Sequence, residues 1–227
     1  MNIFILVEGK TERKIYPKWL AHLVPHLSKV DRPALVNQNN YCIVSGNGYP
    51  SILTFLENSI EEINRINAFD FFVLIADADD KSVAERALEI QNYLIKNDIK
   101  LNKSTQFVII LQRCCLETWL LGNRKIFKKN VQDSELSSWV KHYDVSTNDP
   151  ELMPIPTNYT CSIGNFHKMY LKKMLAERRI TYNETQPNAV IEPSYINNMI
   201  GRFMRTKHIS TFGNFLLFCK KINQLNN

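Results

Sequence analysis

The residues most able to do chemistry are acids that end apolar runs. Asn2-Ile3-Phe4-Ile5-Leu6-Val7 breaks into Glu8-Gly9-Lys10-Thr11-Glu12, and Phe69–Ala76 breaks into Asp77-Ala78-Asp79-Asp80. Glu117 follows a third such run, Gln106–Leu111. Gathered carboxylates repel one another unless a cation neutralises them. Oxygen donors of this kind suit Mg²⁺ or Mn²⁺, ions that keep several waters and contact phosphates. The chemistry they support is metal-assisted cleavage of a phosphodiester. Lys10 lies in the glycine turn, where it can meet a phosphate at the start of a helix. The bland alternatives are a solvated loop acid at Glu8, a helix-capping aspartate at Asp79 or Asp80, a first-turn glutamate at Glu12 and a solvated lysine at Lys10.

These acids converge only if the apolar runs are strands of one sheet. Residues 2–7, 41–44, 69–76 and 106–111 read as strands, and the run at 69–76 lacks alternation in its core, as expected of a strand covered on both faces. Helical spacing of apolar residues follows each strand: Thr11 to about Leu27, with Thr11 as cap and Pro17 as a kink or break, then 49–66, 82–96 and a short apolar helix over 113–121 that Gly122 can end. Alternating strands and helices predict an α/β fold, a mostly parallel sheet with helices on both faces. In such a sheet the strand ends share one edge. If residues 77–79 stay extended, Asp77 and Asp79 point to the same side.

The pattern changes after residue 122. Residues 123–165 read as loops around short helices, and 166–180 and 194–224 as basic amphipathic helices joined by a Pro-flanked connection. We therefore expect an α/β domain over 1–122 and a helical, basic region packed on it over 123–227. Of the net charge of +6, residues 1–150 contribute 18 basic and 18 acidic groups, and residues 151–227 contribute 10 and 4. A basic C-terminal part fits an acidic partner, with nucleic acid the leading candidate. Lys168, Lys172, Lys173, Arg178 and Arg179 are either a nucleic-acid face or a solvated helix face. Lys168, Lys172 and Arg179 fall on one stripe and are the residues expected to contact phosphates.

Other classes recede. No apolar run is long enough for a membrane span, and the start lacks the features of a signal peptide, so a cytoplasmic location is expected. The five cysteines form no CxxC pair, which argues against a structural zinc site. Cys114 and Cys115 read as buried, inert thiols. The five histidines, His167 among them, show no metal-ligand spacing and read as surface or core residues. No phosphate loop of the GxxxxGK[ST] form occurs.

Val7-Glu8-Gly9-Lys10-Thr11-Glu12 and Asp77-Ala78-Asp79-Asp80, in that order and each after an apolar strand, resemble the Toprim fold of topoisomerases, primases, recombination proteins and nucleases of the overcoming-lysogenization-defect type. The resemblance covers about residues 1–122. It implies that Glu8 is the general acid/base or metal-contacting glutamate, that Asp77 and Asp79 are metal ligands, and that Glu12 serves the metal site as a second acid. Glu117, within Leu116-Glu117-Thr118-Trp119-Leu120-Leu121, resembles a later acidic element of small Toprim-like defence proteins. The chain is too short for a topoisomerase strand gate and lacks the cysteine module of a primase. What remains is a metal-dependent nuclease or nuclease-like effector of bacterial antiphage defence, acting on DNA or RNA beside a separately encoded ATPase. The alternative is a catalytically silent Toprim-like subunit that docks to that ATPase. Self-association into a homo-oligomer is left open.

Overall fold

A computed structural model describes residues 1–183 and 185–226. Five strands form one parallel sheet in the order β2-β3-β1-β4-β5: β1 Asn2–Val7, β2 Ser28–Val30, β3 Asn40–Ser45, β4 Phe71–Asp77 and β5 Gln106–Gln112. The chain is an α/β protein with helices flanking that sheet. Its helices are α1 Glu12–Leu23, α2 Ser51–Ile66, α3 Val83–Lys96, α4 Leu116–Leu120, α5 Ser134–His142, α6 Ile163–Glu177, α7 Pro193–Thr206 and α8 Ser210–Leu225.

By its internal contacts the chain forms two compact units, and their boundaries differ from a cut at residue 122. One comprises residues 1–76, 83–111 and 217–227; the other comprises 77–82 and 112–216.

The first unit owes its form to β1 and β4, whose side chains are almost all buried. Alternation along each strand divides them between two faces. Phe4, Leu6, Phe72, Leu74 and Ala76 join Ile52, Leu56, Ile60 and Ile63 of α2 and Ile90 of α3 in one apolar cluster. On the other side Phe71 meets Phe218 edge to face, and Asn223 donates to the Leu23 carbonyl at the end of α1. Covering on both faces explains why these strands lack polar alternation. Helix α2 stops where Asn67 turns left-handed, with its N–H donating to the Ile63 carbonyl.

The second unit is helical. Trp139 of α5 packs against Tyr159, Phe166 and Tyr170. Trp119 of α4 packs on Phe212 and Phe215 and donates its Nε1–H to Thr211 Oγ1 at 2.6 Å. Arg202, on α7, has no exposed surface. It donates to the carbonyls of Leu121, Val145 and Asn148, and burial pushes its pKa down to about 10, with Arg124 adding to the shift.

Several local expectations need correction. Thr11 stands at the N-cap position, but its backbone is helical and not extended, and its side chain makes no cap. That helix is one element over Glu12–Leu23 with Pro17 inside it, and it ends four residues earlier than the apolar spacing suggests. Only Leu116–Leu120 of the segment 113–121 is helical; Gln112 still belongs to β5. The strand β2 is an edge strand with mostly exposed side chains, so it carries no hydrophobic pattern to read. The stretch 194–224 is two helices, broken where Lys207 and Ile209 take φ of 61° and 52°.

Candidate functional site

In the first unit, Glu8 follows directly on β1. Its backbone is fixed by the loop after β3: the Gly48 N–H donates to the Glu8 carbonyl at 2.9 Å and the Gly46 N–H to the Val7 carbonyl at 2.8 Å. Gly48 has φ +87°, a conformation that suits glycine. The Glu8 side chain is partly exposed and Lys10 is exposed, whereas Glu12 is buried at the start of α1.

Glu12 gives Gly9 its purpose. A Cβ on Gly9 would lie 2.6 Å from Glu12 Oε2. The glycine is needed for room and not for backbone freedom, since its φ is not left-handed. The carboxylate is the far end of a flexible side chain and can move aside. Gly9→Ala should therefore displace Glu12. If Glu12 serves the reaction, Gly9→Ala should lower metal-dependent activity about tenfold, and adding Glu12→Gln should lower it no further than Glu12→Gln alone. Full activity in Gly9→Ala would remove Glu12 from the site.

The second unit holds the remaining acids. Asp77 is the last residue of β4 and is partly exposed; Asp79 is exposed. Asp79 has φ +52°, so residues 77–79 are not extended, and period two does not set their common direction. The turn is held instead by its backbone. The Ala78 N–H donates to the Gln112 carbonyl at 2.9 Å and the Asp79 N–H to the Cys114 carbonyl at 3.0 Å. Arg113 Nη1 donates to the Lys81 carbonyl at 2.7 Å.

Glu117 is buried on α4, and its Oε1 accepts the Tyr182 hydroxyl at 3.0 Å. Tyr182 also lines an open groove of about 390 Å³ with Lys172, Ala176, Arg179, Ile180 and Thr181. Two of the three expected phosphate-contacting residues thus line a groove whose wall includes the tyrosine that holds an expected metal ligand. Lys168 is partly buried on α6 and is not among that groove's lining residues. The neighbouring cations serve the fold: Lys173 pairs with Asp133 and Glu135 at 2.7 and 3.0 Å, and Arg178 donates to the Ile126 and Phe127 carbonyls.

One constellation escapes sequence reasoning. Cys114, Cys115 and His167 place a ligand atom each within 4.8 Å of one another. His167 Nε2 lies 2.9 Å from the Met153 carbonyl, which can only accept, so Nε2 carries the proton. Nδ1 lies 2.7 Å from Thr118 Oγ1. Cys114 takes φ +68°, a conformation that costs a non-glycine residue about 1–3 kcal/mol. The hydrogen bond with Cys115 pulls the Cys114 thiol down to about 6 against its burial, with His167 helping. Cys115 is pushed well above its ordinary value, first by that same bond, then by burial and by the charges of Glu117 and Asp77. Two of the acids expected at a metal site therefore act electrostatically on one thiol.

Residues 7–158 match the domain family described as Domain of unknown function (DUF4276). The chain belongs to the DUF4276 family. No curated protein and no solved structure matches it. The DUF4276 match takes in Glu8, Glu12, Asp77, Asp79 and Glu117, together with Cys114 and Cys115. His167, Lys168, Lys172 and Arg179 lie beyond it.

Proposed function

We propose that this DUF4276 chain is a Mg²⁺- or Mn²⁺-dependent nuclease or nuclease-like effector with a Toprim-like fold, cleaving phosphodiester bonds in DNA or RNA. The observation that carries the reading is the register of two neighbouring parallel strands. Val7 of β1 pairs with Ile75 of β4, and acids follow both strands at their C-terminal ends. That edge is the favoured place for ligands in open α/β sheets.

The donor set fits hard cations. Glu8, Asp77, Asp79 and Glu117 offer carboxylate oxygens, and the exposed Asp79 sits on a turn held by two backbone hydrogen bonds. Such an ion, when bound, polarises a phosphoryl oxygen and makes its own water more acidic. The chain's residues do the rest. Glu8, partly exposed after β1, is the proton acceptor for the attacking water. Glu12 supports the metal site as a second acid. Lys10 neutralises a phosphate, and Lys172 and Arg179 track the backbone along their groove, with Lys168 extending the stripe. The setting is cytoplasmic antiphage defence beside a separately encoded ATPase. Among the described residues no helix is long and apolar enough to cross a membrane.

The second reading is a catalytically silent subunit docking to that ATPase. It is favoured by Glu117, whose carboxylate is buried and engaged by Tyr182. Incubating the purified chain with plasmid, linear DNA and RNA in Mg²⁺ and in Mn²⁺ separates the two. The nuclease reading expects cleavage that chelation stops and that Glu8→Gln loses. Absence of cleavage, alone and with a co-purifying ATPase, would leave the silent subunit.

A further inference from the structure

We propose that Cys114, Cys115 and His167 form a binding site for one thiophilic metal ion, with zinc the ion best suited to two sulfurs and an imidazole. This centre is separate from the oxygen-ligated site proposed above and does not depend on it.

The first argument is how adjacent cysteines come to share a side. Successive residues of an extended chain point to opposite faces. Cys115 is extended, with φ −151° and ψ 174°, but Cys114 is left-handed, and this breaks the alternation. Both sulfurs then reach the same imidazole. Gly164, in the first turn of α6, lies beside both sulfurs. A Cβ there would lie 3.7 Å from Cys115 Sγ and 3.9 Å from Cys114 Sγ.

The second argument is the histidine. Its Nε2–H is committed to the Met153 carbonyl, which leaves the lone pair of the neutral ring on Nδ1. Metal-bound histidines are oriented by this kind of outer hydrogen bond. The Thr118 hydroxyl, 2.7 Å from Nδ1 and 3.5 Å from Cys115 Sγ, yields that lone pair to the ion. Tetrahedral zinc sets its sulfur and nitrogen ligands roughly 3.5–3.8 Å apart. Ligand atoms already within 4.8 Å need only a small inward movement.

The third argument is burial. Cys114, Cys115 and His167 are 1%, 7% and 0% exposed. A cysteine–histidine pair that attacked a substrate would need access, whereas a metal can be captured as the site folds. Thiolates and imidazole select zinc or copper(I) over Mg²⁺ and Mn²⁺, so the two kinds of centre do not compete for one ion.

The test uses the full chain, purified under reducing conditions. Metal analysis should find one zinc per chain. X-ray absorption at the zinc edge should show two sulfur neighbours at about 2.3 Å and one imidazole. Replacing zinc with Co²⁺ should give the intense visible bands of a tetrahedral site and a sulfur charge-transfer band. Cys114→Ser and His167→Gln should each weaken zinc binding at least about a hundredfold, while Asp79→Asn leaves it unchanged. If a variant fails to fold, the wild-type spectra still decide. Purification without zinc, followed by no Co²⁺ charge-transfer band on titration, overturns the proposal. So does zinc with only oxygen and nitrogen neighbours, or zinc retained in full by folded Cys114→Ser. A copper(I) preference with the same sulfur ligands would support the site and correct the ion.

Discussion

Asp79→Asn should abolish metal-dependent cleavage without destabilising the protein. Asp79 is exposed, so its charge contributes little to folding. Its φ of +52° is one that asparagine tolerates at least as well as aspartate, whereas alanine would add a backbone cost of about 1–2 kcal/mol. The N–H bond to the Cys114 carbonyl survives, because it belongs to the backbone. The substitution therefore keeps the size and shape of the side chain and removes its charge. A metal ligand supplies several kcal/mol of charge stabilisation, so the expected loss is about a hundredfold or more, at roughly 1.4 kcal/mol per factor of ten. Asp80→Asn, one residue along on the same exposed turn, is the control and should keep most activity. Cleavage by Asp79→Asn at the wild-type rate would dismiss Asp79 as a ligand.

Arg202→Met should have the largest effect on stability. The guanidinium has no exposed surface and gathers three backbone carbonyls from distant segments, those of Leu121, Val145 and Asn148. It also approaches His208 Nδ1 at 3.2 Å. Even with its pKa held down to about 10, the group is charged at neutral pH. Methionine fills much of the volume but donates nothing. Removing one partner from a buried polar network leaves the others to carry their desolvation. The expected cost is about 3–5 kcal/mol. For a unit of this size the melting point should fall by about 10 °C or more. Trp119 and Trp139 both lie in the second unit, so tryptophan fluorescence in urea reads the change. A loss below about 1 kcal/mol would show that water replaces the guanidinium.

The sheet was legible because β1 and β4 are covered on both faces and must be apolar throughout. Glu8 and Asp77 were legible for the same reason: each interrupts a run that has no other cause to stop. What escaped was set by partners far along the chain. His167 meets Cys114 and Cys115 from some fifty residues away, so no spacing rule could pair them. The left-handed backbones of Asp79 and Cys114 carry no glycine to announce them. Arg202 sits in a helix that reads as basic and amphipathic, yet its charge is spent on backbone carbonyls. Among the basic residues of α6 and its end, charge alone could not separate Lys173 and Arg178, held by intramolecular partners, from Lys172 and Arg179 on the groove.

The hydrogen bonds from Ala78 and Asp79 to Gln112 and Cys114 set a limit on how this chain can change in length. Loops ordinarily accept inserted residues. The segment between β5 and α4 cannot. One residue added between Gln112 and Leu116 would offset the carbonyls that hold the acidic turn. Placed between Cys114 and Cys115, it would also part the two thiols that share His167. In DUF4276 chains built like this one, the spacing from the end of β5 to the start of α4 should be constant even where the surrounding sequence drifts.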